Sequence, residues 1–263
     1  FIDSSYDDLN FSKVSDKEYK VTYNNGNDSV IFNIDQISHF IVKDENESSG
    51  FKQYSIASDM QHYVIGDGFN SDLTGTDLKD IFIGSSNNET MTGGAAANEY
   101  RISNNGGSDT IVSTSNEDTI KFTDSNIDDL SFNVSGNDLV ISYSDNDSVV
   151  LKDYLINKQN ISIADSFNSA SLAQILANNG IVVGSGNISG TDNSDSIFGS
   201  SDNDIINAGK GDDIINAGSG SNTFVFANGD GNDTVSSNST DGILNFIDSS
   251  YDDLNFSKVS DKE

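Results

Sequence analysis

Counting in nines from Gly190 constrains this chain more than anything else in it. The segment divides into GTDNSDSIF, GSSDNDIIN, AGKGDDIIN and AGSGSNTFV, each nine residues long. The eighth place is always apolar: Ile197, Ile206, Ile215 and Phe224. The sixth place is Asp195, Asp204, Asp213 and Asn222. After a two-residue insertion, GDGNDTV continues the scheme with Gly229, Gly231, Asp233 and Val235. Three successive copies of G-x-G-x-[D/N]-x-apolar therefore start at Gly209, Gly218 and Gly229. One apolar side chain per nine residues does not fill a globular core. It suits a solenoid, in which a turn of about six residues leads into a very short strand and the strands stack. Glycines at Gly211 and Gly220 permit the positive φ that such turns need.

The same glycines let main-chain carbonyls converge, and the sixth-place Asp adds a carboxylate. An all-oxygen cage of this kind suits a hard cation, calcium rather than zinc. With two strands per coil, turns two repeats apart share a side. Asp195 is then expected to face Asp213, Asp204 to face Asn222, and Asp213 to reach Asp233 around the insertion.

These residues resemble the repeats-in-toxin (haemolysin-type) calcium-binding family, whose nonapeptide is G-G-x-G-x-D-x-U-x with U a large apolar residue. The resemblance covers Gly190 to Asn245 well and Gly66 to Phe122 less well. It implies a parallel β-roll with several calcium ions between same-side turns, held by sixth-place carboxylates and turn carbonyls. It also implies type I secretion from a bacterium and folding triggered by external calcium.

The first half departs from the pattern. From Gly66 its nines read GDGFNSDLT, GTDLKDIFI, GSSNNETMT and GGAAANEYR, with Phe69, Leu78, Asn87 and Ala96 where glycine is expected. The sixth place holds Ser71, Asp80, Glu89 and Asn98, and the apolar ladder is Leu73, Phe82, Met91 and Tyr100. A roll with fewer or weaker ions is expected here. Asp80, Asp109 and Asp118 are its candidate ligands, and Asp241 is a further one beyond the second array.

A longer repeat encloses both. Phe246–Glu263 reads FIDSSYDDLNFSKVSDKE, letter for letter the same as Phe1–Glu18, which sets a period of 245 residues. The segment is thus a window on a tandem array. Inside the period, FTDSNIDDLSF at Phe122–Phe132 answers FIDSSYDDLNF at Phe1–Phe11, and DSV at Asp147–Val149 answers DSV at Asp28–Val30. The expected organisation is a β-rich spacer (1–65), a degenerate roll (66–121), a second spacer with a short helix (122–189), a second roll (190–245) and the start of the next period (246–263). The class is all-β.

The spacers alternate apolar and polar residues at strand spacing in YKVTY, SVIFNI, LVISY and SVVLKDYLI, with NNGND and SDND as hairpin turns. SLAQILANNG from Ser171 predicts a helix over 171–179, capped by Ser171 with Gln174 and stopped at Asn179-Gly180. It is read as core packing. Asp7-Asp8 and Asp128-Asp129, which have the look of acid/base pairs, are read as solvated or capping carboxylates. His39 and His62 have no partners for a triad or a metal set. The 15 Phe and nine Tyr mostly fall at alternating strand positions, which favours packing over sugar stacking.

Composition bounds the function. Thirteen Lys and Arg stand against 42 Asp and Glu, a net charge of −29, and there is no Cys, Pro or Trp. Nucleic acid and anionic membranes, which require a basic surface, are excluded as partners. Disulfides and cysteine-based zinc or iron–sulfur sites are excluded too. No apolar run approaches the roughly 18 residues of a membrane span and no secretory leader opens the segment. No catalytic constellation stands out, so an enzyme is not expected. About six calcium ions would bring the charge to roughly −17 and relieve self-repulsion. The expected role is a calcium-stiffened structural repeat of a large extracellular or cell-surface bacterial protein, an adhesin, surface layer or filament. Its partners are then neighbouring repeats, with possible self-assembly. Two other readings stay open: the folding and secretion module of an enzyme or toxin, and a repeat that binds surface polysaccharide.

Overall fold

Every ninth residue turning inward requires the chain to coil, and the strands show how. The structure is a computed structural model that describes residues 10–13, 18–23, 28–33, 39–43, 51–55, 62–66, 68, 71–157 and 159–258. It falls into two units, residues 1–154 with 159–172, and residues 155–158 with 173–263.

The second unit is a parallel roll of two ladders. One stacks Ile181–Val183, Ser196–Phe198, Ile214–Asn216 and Thr234–Ser236; the other stacks Asn187–Ser189, Ile205–Asn207, Thr223–Phe226 and Ile243–Phe246. Ser196 pairs with Ile214 and Ile205 with Thr223, two nines further on, so a coil holds two strands. The insertion lengthens only the next step, in which Ile214 pairs with Thr234. The eighth-place residues Ile197, Ile206, Ile215 and Phe224 are buried with Ile188, Ala208 and Ala217, and Val182, Phe226 and Val235 pack on them. The seventh-place Ile205 and Ile214 point outward, as the two-residue period of a strand dictates.

The first unit repeats this scheme with different contents. His62–Ile65, Asp80–Ile83, Glu99–Ile102, Thr119–Phe122 and Ser162–Ala164 form one parallel series, and Asp72–Thr74, Thr90–Thr92, Ser108–Val112 and Ser148–Leu151 form the other. The expected ladder of Leu73, Phe82, Met91 and Tyr100 is buried, and it continues through Ile111, Ile120 and Ile163. Phe82 and Tyr100 stack with ring centroids 4.9 Å apart.

Both rolls run past the limits set by counting nines. Ser108 pairs with Ser148 and Thr119 with Ser162, so one coil carries a long insertion instead of ending at residue 121. The insertion includes an antiparallel hairpin, Ser131–Ser135 with Asp138–Ser142. The second roll likewise starts at Ile181, because Val182 and Ile188 supply inward residues although their turn lacks the glycine–aspartate signature.

Two further details differ from expectation. The strand expected through Ile156 ends at Leu151. Asp153 takes φ +53 and its N–H donates to Asp138 Oδ1 at 2.8 Å, which turns the chain into a four-residue helix, Tyr154–Asn157. The expected helix forms as Leu172–Asn178 and stops where Gly180 takes φ +70, but Gln174 donates forward to Asn178 Oδ1 and not back to Ser171. In the first spacer, Asn10–Lys13, Glu18–Tyr23 and Asp28–Asn33 form an antiparallel meander, joined to His62–Ile65 through Phe11.

Candidate metal centre

The sixth-place residues form the inner edges of the coils, and successive turns on an edge are linked by a hydrogen bond from the backbone N–H of one to the side-chain oxygen of the next. Asp195 N–H donates to Asp213 Oδ1 at 2.8 Å, and Asp213 N–H to Asp233 Oδ1 at 3.0 Å. On the other edge Asp204 N–H donates to Asn222 Oδ1 at 2.9 Å. All three expected pairs are thus brought together. In the first unit the same ladder links Asp80 to Asn98 and Asn98 to Asp118 on one edge, and Glu89 to Asp109 on the other. Asp80, Glu89, Asn98, Asp109, Asp118, Asp195, Asp204, Asp213 and Asn222 are buried, and Asp233 is half-buried. Asp241 is not part of an edge. Thr223 pairs with Ile243, which sets Gly242 against Asn222 and leaves Asp241 exposed, one residue out of register.

What fills the remaining oxygens separates the edges. Where the second place of a nine is Thr or Ser, that residue donates to the acid of its own nine, and at Asp80, Glu89 and Asp204 it reaches both oxygens. Thr76 N–H donates to Asp80 Oδ2 at 2.6 Å and its hydroxyl reaches Asp80 Oδ1. Ser85 does the same for Glu89 through its N–H and hydroxyl. Ser200 closes Asp204, with Gly186 N–H as a third donor at 2.6 Å. Asp118 takes Ser113 Oγ at 2.6 Å on one oxygen and the Asn98 N–H and Nδ2 on the other. Asn222 brings its own donor, with Nδ2 at 3.1 Å from the Ser219 carbonyl.

One edge is left open. Asp195 Oδ1 and Asp213 Oδ2 are buried with no hydrogen-bond partner. A third such atom, the Tyr100 hydroxyl, lies in the first unit, where burial and then the fields of Asp118 and Asp80 push the phenol upward and keep it protonated. Asp213 is open because Gly209 holds the second place of its turn and donates its N–H to Asn207 Oδ1. Burial pushes the Asp213 carboxyl up, and Asp233, Asp195 and Asp230 add to the shift. An unpartnered buried carboxylate oxygen is costly unless a cation meets it. From residue 190 to 245 the sequence holds nine Asp and a single cation, Lys210, whose Nζ pairs at the surface with Asp192 at 2.7 Å.

The glycine turns of both edges are cradles of backbone oxygen. Gly209, Gly211, Gly218, Gly220, Gly229 and Gly231 all take positive φ. A Cβ on Gly209 would land on the Thr191 carbonyl oxygen, and one on Gly231 on that of Gly211. Among the described residues no three His, Cys, Asp or Glu side chains converge. Two carboxylates per pair of turns plus carbonyls give hard oxygen donors only, which fits calcium.

Residues 189–224 match the family model of the RTX calcium-binding nonapeptide repeat in four copies. This segment is therefore an RTX array, and calcium is its cation. No curated protein matches the chain.

The first unit has a carboxyl shifted in the same direction as Asp213. Burial raises the Asp109 carboxyl to about 7, and the Glu89 carboxylate beside it adds to the rise while the Glu89 N–H opposes it. A folded-state value above the unfolded one means that the protonated acid stabilises the fold. That contribution is complete below about pH 4 and is lost as pH rises through about 7. With calcium chelated, the first unit is expected to lose stability between about pH 4 and 7 and to level off above that, and Asp109→Asn to flatten that loss. Urea unfolding followed by tyrosine fluorescence checks it, since every tyrosine except Tyr251 lies in the first unit. An unchanged pH slope in the variant would count against this reading of Asp109.

Asp128 and Asp129 sit exposed in a 3-10 turn, where Asn126 Nδ2 bonds Asp129 Oδ2 at 3.0 Å. Asp7 and Asp8 lie outside the described residues. His39 and His62 open strands, and nothing of their side chains is described.

Proposed function

We propose that this chain is a structural repeat of a large extracellular bacterial protein, an adhesin, surface layer or filament, exported as a loose chain and stiffened by calcium outside the cell. The observation that carries the reading is the 18-residue identity at a 245-residue period around a calcium-binding roll. An enzyme needs one site, whereas a spacer or polymer needs length. The aromatic side chains Phe82, Tyr100, Phe122 and Phe224 are spent in the core, which favours this role over sugar binding. Among the described residues no helix is long and apolar enough to cross a membrane.

The Asp195–Asp213–Asp233 edge would hold the ions, one between each successive pair of turns, with the carbonyls of the glycine turns around them. Bound there, calcium supplies two positive charges between carboxylates that otherwise repel. Asp195, Asp213 and Asp233 hold the turns in register through their ladder of N–H donors, and the glycines keep the turns narrow. Extracellular calcium modules bind at about 10⁻⁴–10⁻³ M, and at ten times Kd each ion adds about 1.4 kcal/mol. At cytosolic calcium the same edge is left with unopposed charge.

Far-UV circular dichroism during a calcium titration of the chelated chain tests this reading. A cooperative gain of β signal at about 0.1–1 mM calcium, absent with magnesium, is expected. A signal that ignores calcium would overturn it.

A further inference from the structure

The joint that closes the first roll occurs twice in this chain, once complete and once as a half. Phe122–Phe132 and Phe246–Phe256 are related sequences, and the structure repeats their contacts 124 residues apart. Asn104 N–H donates to Asp124 Oδ1 at 2.9 Å, and Asn228 N–H to Asp248 Oδ1 at 2.9 Å. The Nδ2 of each Asn reaches the carbonyl of that Asp at 3.3 Å. Ser125 and Ser249 donate to the same Asn side chains, and 3-10 turns follow at Ile127–Asp129 and Tyr251–Asp253.

At the first joint the end of the roll is covered. Ser148–Leu151 adds in parallel to Ser108–Val112, and Ser162–Ala164 to Thr119–Phe122. Tyr143 lies against Phe122, ring centroids 5.3 Å apart, and donates to the Gly107 carbonyl at 3.0 Å. Ile120, Phe122 and Val149 are all 0% exposed. At the second joint the corresponding strands, Thr234–Ser236 and Ile243–Phe246, are the last of their ladders. Leu244 and Phe246, which stand where Ile120 and Phe122 do, are 54% and 37% exposed.

The other half of this joint lies near the start of the same sequence. Asp28–Asn33 answers Ser148–Leu151, with DSV common to both, and it is the last strand of its nine-stranded sheet. Val30, the counterpart of the buried Val149, is 46% exposed, and Ile31 beside it is 57% exposed. His39–Lys43 pairs with Phe51–Ser55 as Ser162–Ala164 pairs with Ser169–Ser171.

We infer that the end of the second roll is the docking surface for a second copy of this chain, namely the first spacer of the following period. Asp28–Asn33 of that copy adds in parallel to Thr234–Ser236, and His39–Lys43 adds to Ile243–Phe246. The register follows the complete joint, in which Asp109 pairs with Val149 and Thr110 with Val150. Val30 of the next copy therefore lies opposite Asp233 and Ile31 opposite Thr234, while Tyr23 takes the place of Tyr143 against Phe246. Both ladders then pass from one period into the next without an exposed edge. The inference rests on the tandem-repeat reading and is independent of the cation.

Disulfide trapping tests it in a chain without native cysteine. In a chain of two periods, residues 1–245 followed by 1–263, Thr234→Cys is placed in the first copy and Ile31→Cys in the second. Mild oxidation is expected to consume both thiols, as in the reference pair Thr110→Cys with Val150→Cys within one copy. Thr234→Cys with Glu18→Cys of the second copy is expected to keep its thiols. Free thiols at 234 and 31 where the reference pair closes would overturn the joint, and so would equal trapping of both test pairs. Circular dichroism of the same chain with and without calcium separates the two ideas. Specific trapping in a chain indifferent to calcium would uphold the joint and overturn the calcium reading; a calcium-responsive chain without trapping would do the reverse.

Discussion

Asp213→Asn is expected to remove the calcium response of the second roll while leaving the apo fold nearly unchanged. Asparagine keeps the Oδ1 that accepts the Asp195 N–H, a bond that Asn222 already makes to Asp204 on the other edge. What it loses is Oδ2, the buried oxygen without a partner, which becomes an amide donor of the kind Asn222 directs at a turn carbonyl. The apo stability should therefore move by no more than about 1 kcal/mol, and by burial logic in the stabilising direction. Calcium affinity should fall at least about tenfold, roughly 1.4 kcal/mol or more, because Asp213 stands between two successive turns and serves both. Isothermal titration with calcium, together with urea unfolding in chelator, separates the two effects. Unchanged affinity would remove Asp213 from the site.

Gly209→Ala should be among the damaging small substitutions in the second roll. Gly209 takes φ +92, and an added Cβ would meet the Thr191 carbonyl oxygen of the turn two nines earlier. Left-handed backbone costs an L-residue about 1–2 kcal/mol, and the clash forces neighbouring turns apart as well, so a loss of roughly 3 kcal/mol is expected. Gly136→Ala provides the comparison. It has φ +63 but open space around the position, so only the backbone cost of about 1 kcal/mol applies. Thermal unfolding of both variants in calcium measures the difference, and equal losses would show that carbonyl crowding at the turn does not matter.

The inner residues of the coils were readable because a solenoid leaves them no choice. Ile197, Ile206, Ile215 and Phe224 recur every nine residues and all are buried; Leu73, Phe82, Met91 and Tyr100 follow the same rule in a roll whose glycines have mostly gone. The ends of the rolls were hidden because ladders do not require equal spacing. Ser148–Leu151 joins its ladder 40 residues after its partner strand, a distance that no nine-residue count reveals. The division between open and closed edges had a visible signal that spacing alone does not weigh. Thr76, Ser85, Thr191 and Ser200 occupy the second place of their nines and bond the acid of the same nine, whereas Gly209 has no hydroxyl to offer. Thr191 closes only one oxygen of Asp195, and the other stays open. Asp241 shows the converse limit, since a register shift of one residue took a plausible ligand out of the edge.

On the proposed reading, calcium holds the open edge of the second roll while hydroxyl and amide donors hold the first. Hydrogen exchange resolved along the chain, with and without chelator at constant pH, tests it most directly. On chelation, amides of Ser196–Phe198, Ile214–Asn216 and Thr234–Ser236 should lose protection, and those of Asp80–Ile83, Glu99–Ile102 and Thr119–Phe122 should keep it. Equal loss in both rolls, or no loss in the second, would contradict the account.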